Sequence, residues 1–307
     1  MNKGNAMGIC DNRVVIVTGA GRGLGRAYAL ELARQGAAVV VNDLGVSNNG
    51  EDTGESPAES VVAEITAAGG RAIANHCDVA DWEATGAMVA QAVETFGGLH
   101  AVVNNAGFVR DRMFVSATPQ EWDAVMRVHL NGHFCTARHA VDYWRGQAKA
   151  GQPVDARIIN TTSGAGLQGS IGQTAYSAAK GGIAAMTLVQ AAELARYGIT
   201  ANALAPNART RMTEGAFGEA MSRKAGDFDI FAPENTAPLV AWLCSAQSAG
   251  VTGEVFELIG GKLSLCLGWN DGPAEDAGRA WAATEIGAAV DRLQSARPAA
   301  KKVWGSA

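Results

Sequence analysis

The feature that most constrains this chain is a short apolar run, Arg13 to Val17, that breaks into Thr18-Gly19-Ala20-Gly21-Arg22-Gly23-Leu24-Gly25. Leu24, Tyr28 and Leu32 then recur at helical spacing, and Gly36 ends the pattern. Ala37 to Val41 is a second apolar run, closed by Asn42-Asp43. Strand, glycine turn, helix and strand make one βαβ unit. A glycine lets the chain turn tightly at the strand end, and the missing Cβ lets phosphate oxygens approach the backbone. The helix N-terminus then offers free N–H groups and the positive end of its dipole. Glycine turns alone are common. This one follows a strand and opens a helix, and Asp43 closes the next strand twenty residues beyond Gly23, the context a dinucleotide fingerprint demands. Gly19, Arg22, Gly23, Leu24 and Gly25 are thus candidate cofactor-binding residues.

At the end of the second strand, Asp43 would accept hydrogen bonds from ribose hydroxyls and repel a 2′-phosphate, which selects NAD over NADP. Arg22 is the counter-signal, since a guanidinium in the turn would attract that phosphate. A like-charge clash at close range excludes more than one arginine attracts. The plain alternative for Asp43 is an exposed loop carboxylate. Asp78 and Val79 follow the third strand, where they would meet the adenine edge; an Asx turn or helix cap is the alternative there.

The alternation continues along the chain. A helix is expected around Ala58–Ala68, a strand at Arg71–Cys77, a helix at 82–95 and a strand at Leu99–Val103 that ends in Asn104-Asn105-Ala106-Gly107. Helices fill about 119–147 and 173–197 around a strand at Arg157–Thr161, and Ile199–Leu204 and Val255–Ile259 read as the last strands. This predicts an α/β fold: a single Rossmann-type, doubly wound parallel sheet with helices on both faces. We expect a flexible tail over 1–12 and one dinucleotide-binding catalytic domain over 13–264, with an insertion at 44–57 and a substrate loop at about 207–232. A C-terminal helical extension over 265–307 would carry Ala282, Ile286, Ala289 and Leu293 on one face.

Composition narrows the partners. The 38 glycines and 6% aromatic content favour close packing of helices on a sheet. With 25 basic against 30 acidic residues the net charge is −5, so the basic stripe of a nucleic-acid surface is not expected. No apolar run is long enough to span a membrane. Five scattered cysteines without a CxxC pair argue against a disulfide framework or structural zinc and point to a reducing cytoplasm.

The chemistry rests on Tyr176-Ser177-Ala178-Ala179-Lys180, which sets Tyr and Lys four apart on one helix face. A phenol titrating near pH 10 is a poor proton carrier at neutral pH, and a neighbouring ammonium lowers that value. Ser163, thirteen residues upstream, lies just past a strand, where its hydroxyl could hold a substrate oxygen. Hydride transfer to or from a carbonyl carbon needs this combination of proton donor and oxyanion stabiliser.

In these residues the sequence resembles the short-chain dehydrogenase/reductase family. The matches are TGAGRGLG at 18–25, Asp43, Asp78, NNAG at 104–107, Ser163, Tyr176 and Lys180, in family order across about 13–260. The resemblance implies nicotinamide-dependent interconversion of a secondary alcohol and a ketone, with Ser163, Tyr176 and Lys180 catalytic. It also implies that Lys180 holds the nicotinamide ribose, that Asn105, Ala106 and Gly107 line the cofactor channel, and that the helices at 119–147 and 173–197 build a homodimer or homotetramer.

Within the family, Val41–Gly45, Arg110-Asp111-Arg112, Val128-His129-Leu130 and Ala205–Ala208 with Arg211-Met212-Thr213 resemble the (3R)-hydroxyacyl-CoA dehydrogenases of the peroxisomal multifunctional type 2 group. That implies a small-molecule acyl-CoA or steroid-like substrate and a stand-alone dehydrogenase. Rival readings are oxidation of free 17β-hydroxysteroids, reduction of 3-oxoacyl carrier-protein substrates, and a catalytically silent nucleotide sensor.

Two departures stand out. His129 takes the place of the family's relay asparagine, either as a substitute relay or as a packing residue, and Pro206-Asn207 replaces Pro-Gly after the sixth strand. His129 and His133 have metal-ligand spacing, but no carboxylate lies between them and Gly132 reads as a helix interruption, so no metal is expected. Met212 and Phe217 are the candidate substrate-lid residues.

Overall fold

The computed structural model describes residues 8–46, 54, 56–209, 228–299, 301–303 and 305. The strands are β1 (Val14–Thr18), β2 (Ala38–Asn42), β3 (Arg71–Asn75), β4 (Ala101–Asn104), β5 (Ala156–Thr161), β6 (Ile199–Asn207), β7 (Val255–Ile259) and β8 (Lys262–Leu265). They form one sheet in the order β3-β2-β1-β4-β5-β6-β7-β8. The first seven strands are parallel, and β8 folds back antiparallel on β7. Strands covered on both faces read as continuous β-branched runs, and Val14 through Thr18 are all buried.

Helices cover the two faces. On one side lie α1 (Gly23–Arg34), α2 (Pro57–Ala67) and α8 (Ala237–Cys244), whose Tyr28, Leu32, Val61 and Leu243 pack on Val15 and Val17. On the other lie α3 (Trp82–Phe96), α5 (Gly132–Lys149) and α7 (Thr174–Leu194), which bring Met88, Trp144 and Ala191 against Ile16 and Ile158. Neighbouring strand residues thus feed opposite cores, as the two-residue side-chain period requires. The doubly wound α/β expectation holds.

Four details differ from the sequence expectation. Residues 8–12 are packed rather than a free tail: Cys10 is fully buried and its N–H donates to the Gln35 carbonyl at 2.9 Å. The segment after α4 (Pro119–Met126) does not break at Gly132. A π-helical turn, Arg127–Asn131, leads straight into α5, and Gly132 has ordinary helical angles. A Cβ at Gly132 would come within 2.7 Å of Val79, so its glycine serves close packing rather than a break. Beyond β7, a Gly260-Gly261 turn adds the antiparallel edge strand. In the C-terminal extension α9 (Ala283–Ala296) buries only Ala289 of its expected apolar face. Among the described residues no helix is long and apolar enough to cross a membrane.

Candidate active site

The sheet order reverses between β1 and β4, and a crevice opens beyond the carboxyl ends of the strands at such a switch point. A cleft of about 980 Å³, counted to its open mouth, lies there. It is lined by Leu24, Asn105 and Gly107 on one side, and by Ser163, Tyr176, Lys180 and the 205–208 end of β6 on the other.

The first side is made of backbone. Gly19 has φ +63°, and a Cβ there would sit 2.8 Å from the Ala106 Cα. The Thr18 hydroxyl accepts from the N–H groups of Asn105 (2.9 Å) and Ala106 (3.1 Å), while the Asn105 amide donates to the Thr18 and Gly19 carbonyls at 3.0 and 3.2 Å. Asn105 therefore clamps the glycine turn to the end of β4. α1 begins at Gly23 with Arg22 as its cap residue, no side-chain cap and no acidic residue in its first turn. By contrast, Asp81 caps α3 and Thr118 caps α4. An uncapped helix start next to a turn that excludes Cβ atoms fits a pyrophosphate.

Asp43 closes the adenosine end of this side. Its two oxygens accept the N–H groups of Gly21 and Gly45, each at 2.9 Å. About two lone-pair positions of the carboxylate remain for a ligand. Arg22 Nη1 reaches the Val46 carbonyl at 3.4 Å. Asp78 adopts the alternative reading as well as its place at the strand end: it accepts from the Ala80 N–H at 2.9 Å in an Asx turn and from Arg127 at 2.6 Å. Val79 is buried under Gly132.

The second side is made of side chains, with Ser163 and Tyr176 half-buried and Lys180 buried. Ser163 follows β5 and caps the short α6 (Gly164–Gln168), its hydroxyl accepting from the Ala165 N–H at 3.2 Å. Ser163 and Tyr176 line the cleft together, and the Ser163 hydroxyl acts to lower the proton affinity of the Tyr176 phenol. One turn on, Lys180 is 2% exposed, its Nζ 2.6 Å from the Thr161 carbonyl and 5.7 Å from the centre of the Tyr176 ring. The Thr162 hydroxyl donates to the Lys180 carbonyl at 2.6 Å and so fixes α7 to the end of β5.

Burial raises the Tyr176 phenol above its ordinary value; Ser163 pulls it back and the charge of Asp111 pushes it further up. The same burial lowers the Lys180 ammonium to about 7. Burial thus acts against the charged form of both groups.

His129 lies in the π-turn, fully enclosed, with Nε2 2.6 Å from the Phe108 carbonyl and 3.1 Å from the Phe108 nitrogen. Burial lowers it to about 3, the Lys180 charge lowers it too, and the Phe108 carbonyl opposes them. It stands edge-on to Tyr176, with ring centres 5.3 Å apart. A Cβ on Gly107 would run into this imidazole, so the last glycine of NNAG and the histidine fit one another. Sequence reasoning treated them separately. It also missed the role of Arg127 at Asp78, and read His133 only as half of a metal pair. Among the described residues no group of three or more His, Cys, Asp or Glu could hold a metal ion. Met212 and Phe217 lie outside the described residues.

A glycine-turn nucleotide cradle at the switch point, facing a Ser-Tyr-Lys constellation, defines a dinucleotide-dependent oxidoreductase that acts on hydroxyl groups. Residues 13–219 match the short chain dehydrogenase family model, and the chain belongs to that family. It is 45% identical over 255 residues to the hydroxyacyl-CoA dehydrogenase ChsB1 of Mycobacterium tuberculosis, covering 82% of this chain and 79% of that protein. It is also 45% identical over 248 residues to the peroxisomal multifunctional enzyme type 2 of Mus musculus, covering 81% of this chain but 32% of that longer protein. A crystal structure of a short chain dehydrogenase from Mycobacterium avium superposes with a TM-score of 0.88 at 55% identity, over 97% of this chain and all of that one.

Proposed function

We propose that this protein oxidises the 3-hydroxyl of a hydroxyacyl-CoA to a ketone with NAD, and that Ser163, Tyr176 and Lys180 carry the chemistry. The observation that carries the reading is that Ser163 and Tyr176 line the same cleft, with Lys180 buried one turn beyond them. NAD, when bound, accepts the hydride. Gly19, Gly23, Leu24 and Gly25 would take its pyrophosphate and Asp43 its adenosine ribose; Asn105, Ala106 and Gly107 would flank it, and Asp78 with Val79 would bound the adenine.

Ser163 holds the substrate oxygen, and the Tyr176 oxygen takes the hydroxyl proton as the carbon gives up hydride. A phenolate is needed for that step. A charged Lys180 beside Tyr176 stabilises the phenolate, while burial resists it. His129, neutral and locked to Phe108, shapes the wall beside the Tyr176 ring.

The thioester assignment rests on the names of the relatives and on the chemistry of the mouth. Ser170 and Gln173 line the cleft, and beside them Ile171, Met113 and Phe114 are exposed by 49%, 56% and 76%. An apolar rim of this kind marks a site for an apolar ligand, here an acyl chain or a steroid-derived one. Exposed Phe134 on α5 and Leu188 and Val189 on α7 support a homodimer or homotetramer through those helices. The test is NAD-dependent turnover of a 3-hydroxyacyl-CoA set against the same assay with NADP; a preference for NADP overturns the role of Asp43.

A further inference from the structure

After α9 the chain returns to the mouth of the cleft. Lys301 Nζ donates to Glu257 Oε2 at 3.1 Å. Glu257 stands on β7, in register with Ala205 of β6 and Ser264 of β8, and lines the cleft. Two residues past Lys301, Val303 covers the face that Gly169 leaves bare, its Cγ1 lying 3.4 Å from where a Cβ on Gly169 would stand. Gly305, at φ +79°, meets Ile171, whose Cβ is 3.5 Å from the place of a Cβ on that glycine. Gly169 and Ile171 flank Ser170, which lines the cleft with Gln173. The described residues 301–303 and 305 thus run from one lip of the cleft, on β7, to the other, the turn between α6 and α7. That far lip is itself held. The Arg112 N–H donates to the Gly172 carbonyl at 2.7 Å, and the Gln173 side-chain amide donates to Asp111 at 2.9 Å.

We propose that this segment is a strap across the mouth that selects for long acyl chains, with Val303 as its apolar wall and the Lys301–Glu257 ion pair as its latch. This deepens the reading above and rests on it for the substrate class. The wall continues the apolar rim: Val303 meets the lip beside Ile171, and Met113 Sδ lies 4.0 Å from the place of a Cβ on the next residue, Gly172. Val303 and Ile171 remain 41% and 49% exposed, so both keep apolar surface for a ligand to cover. Each methylene covered there adds to affinity. A long chain leaving the catalytic centre reaches this wall, and a short one ends before it. The latch suits a strap that must part for entry. Its side chains are 67% and 24% exposed, and ion pairs open to water are weak and weaken further with salt.

The test measures kcat/KM for 3-hydroxybutanoyl-CoA and 3-hydroxydodecanoyl-CoA in wild type, Val303→Asp, Lys301→Glu, and the charge swap that joins Lys301→Glu to Glu257→Lys. Val303→Asp should lower the long-to-short ratio about tenfold, because a charge then faces the chain. Lys301→Glu should lower it about threefold, the scale of an exposed ion pair, and the swap should restore it. A second arm needs no substrate: hydrogen exchange of the Arg112 and Gln173 backbone amides, which bond within the far lip. It should quicken about threefold in Lys301→Glu, and in wild type at about 1 M salt, and slow again in the swap at low salt. A long-to-short ratio shared by wild type and Val303→Asp overturns the proposal, and so does exchange that Lys301→Glu leaves unchanged or the swap leaves fast. Equal loss of rate on both thioesters would give the segment a purely structural role and overturns it too. A wild type inactive on both thioesters overturns the substrate reading instead, and the exchange arm then decides for or against the strap by itself.

Discussion

The two sides of the cleft solve different problems with different materials. The side at the ends of β1 and β2 is built from glycines, N–H groups and one carboxylate, held by Thr18 and Asn105. The side at the ends of β5 and the start of α7 is built from ionisable side chains, with Lys180, His129 and His133 buried and Tyr176 half-buried at the cleft. Binding a charged cofactor calls for fixed donors that titrate nowhere near neutral pH. Moving a proton calls for groups whose proton affinities burial has shifted, here the Tyr176 phenol up and the Lys180 ammonium down.

That contrast can be broken at five points, from the largest effect to the smallest. Tyr176→Phe removes the proton acceptor and should cut kcat by about a thousandfold with dinucleotide affinity intact; steady-state kinetics beside NADH fluorescence titration reads both. Gly19→Val puts a branched side chain at φ +63° and into the Ala106 backbone. Dinucleotide affinity should drop at least about tenfold, from backbone strain of a few kcal/mol, with melting temperature falling as well. Asp43→Ala should erode the preference for NAD over NADP by roughly tenfold or more, the scale of one hydrogen bond to a charged group; unchanged cofactor ratios would remove Asp43 from the cofactor site.

The fourth point is stability against pH. His129 titrates near 3 in the fold and at its ordinary value of about 6.5 when unfolded. The unfolded chain therefore takes up the proton first as pH falls through 6.5, and stability is lost progressively down to about 3. Chemical denaturation at neutral pH and at pH about 4 should show this loss, and His129→Asn should flatten it. Smallest is Asp78→Ala. Its ion pair with Arg127 is partly exposed, and such pairs contribute about 0–1 kcal/mol. The variant should change the KM for NAD less than Asp43→Ala does.

The first side was legible in the sequence and much of the second was not. Strand, turn, helix and acidic residue have fixed spacing, so Gly19 and Asp43 fall where local chemistry puts them, while Asn105 was marked only by the family resemblance. Tyr176 and Lys180 were visible as a helical pair, but their proton affinities depend on burial, which only the packed fold decides. The Lys180 bond to the Thr161 carbonyl joins α7 to the end of β5 and leaves no periodic trace. α8 escaped notice because a helix buried nearly all round, with Ala237, Leu239, Val240, Ala241, Leu243 and Cys244 inside, shows no amphipathic rhythm. β8 did have a signal, the Gly260-Gly261 pair between two short apolar runs, which marks a hairpin.

The most direct test of the account is the initial rate of NADH formation with a (3R)-hydroxyacyl-CoA, measured beside a free 17β-hydroxysteroid under the same conditions. The account predicts faster turnover of the thioester, with NAD preferred over NADP. Turnover of the steroid alone would contradict the substrate assignment and leave the hydride chemistry standing, while no NADH from either alcohol would contradict the account itself.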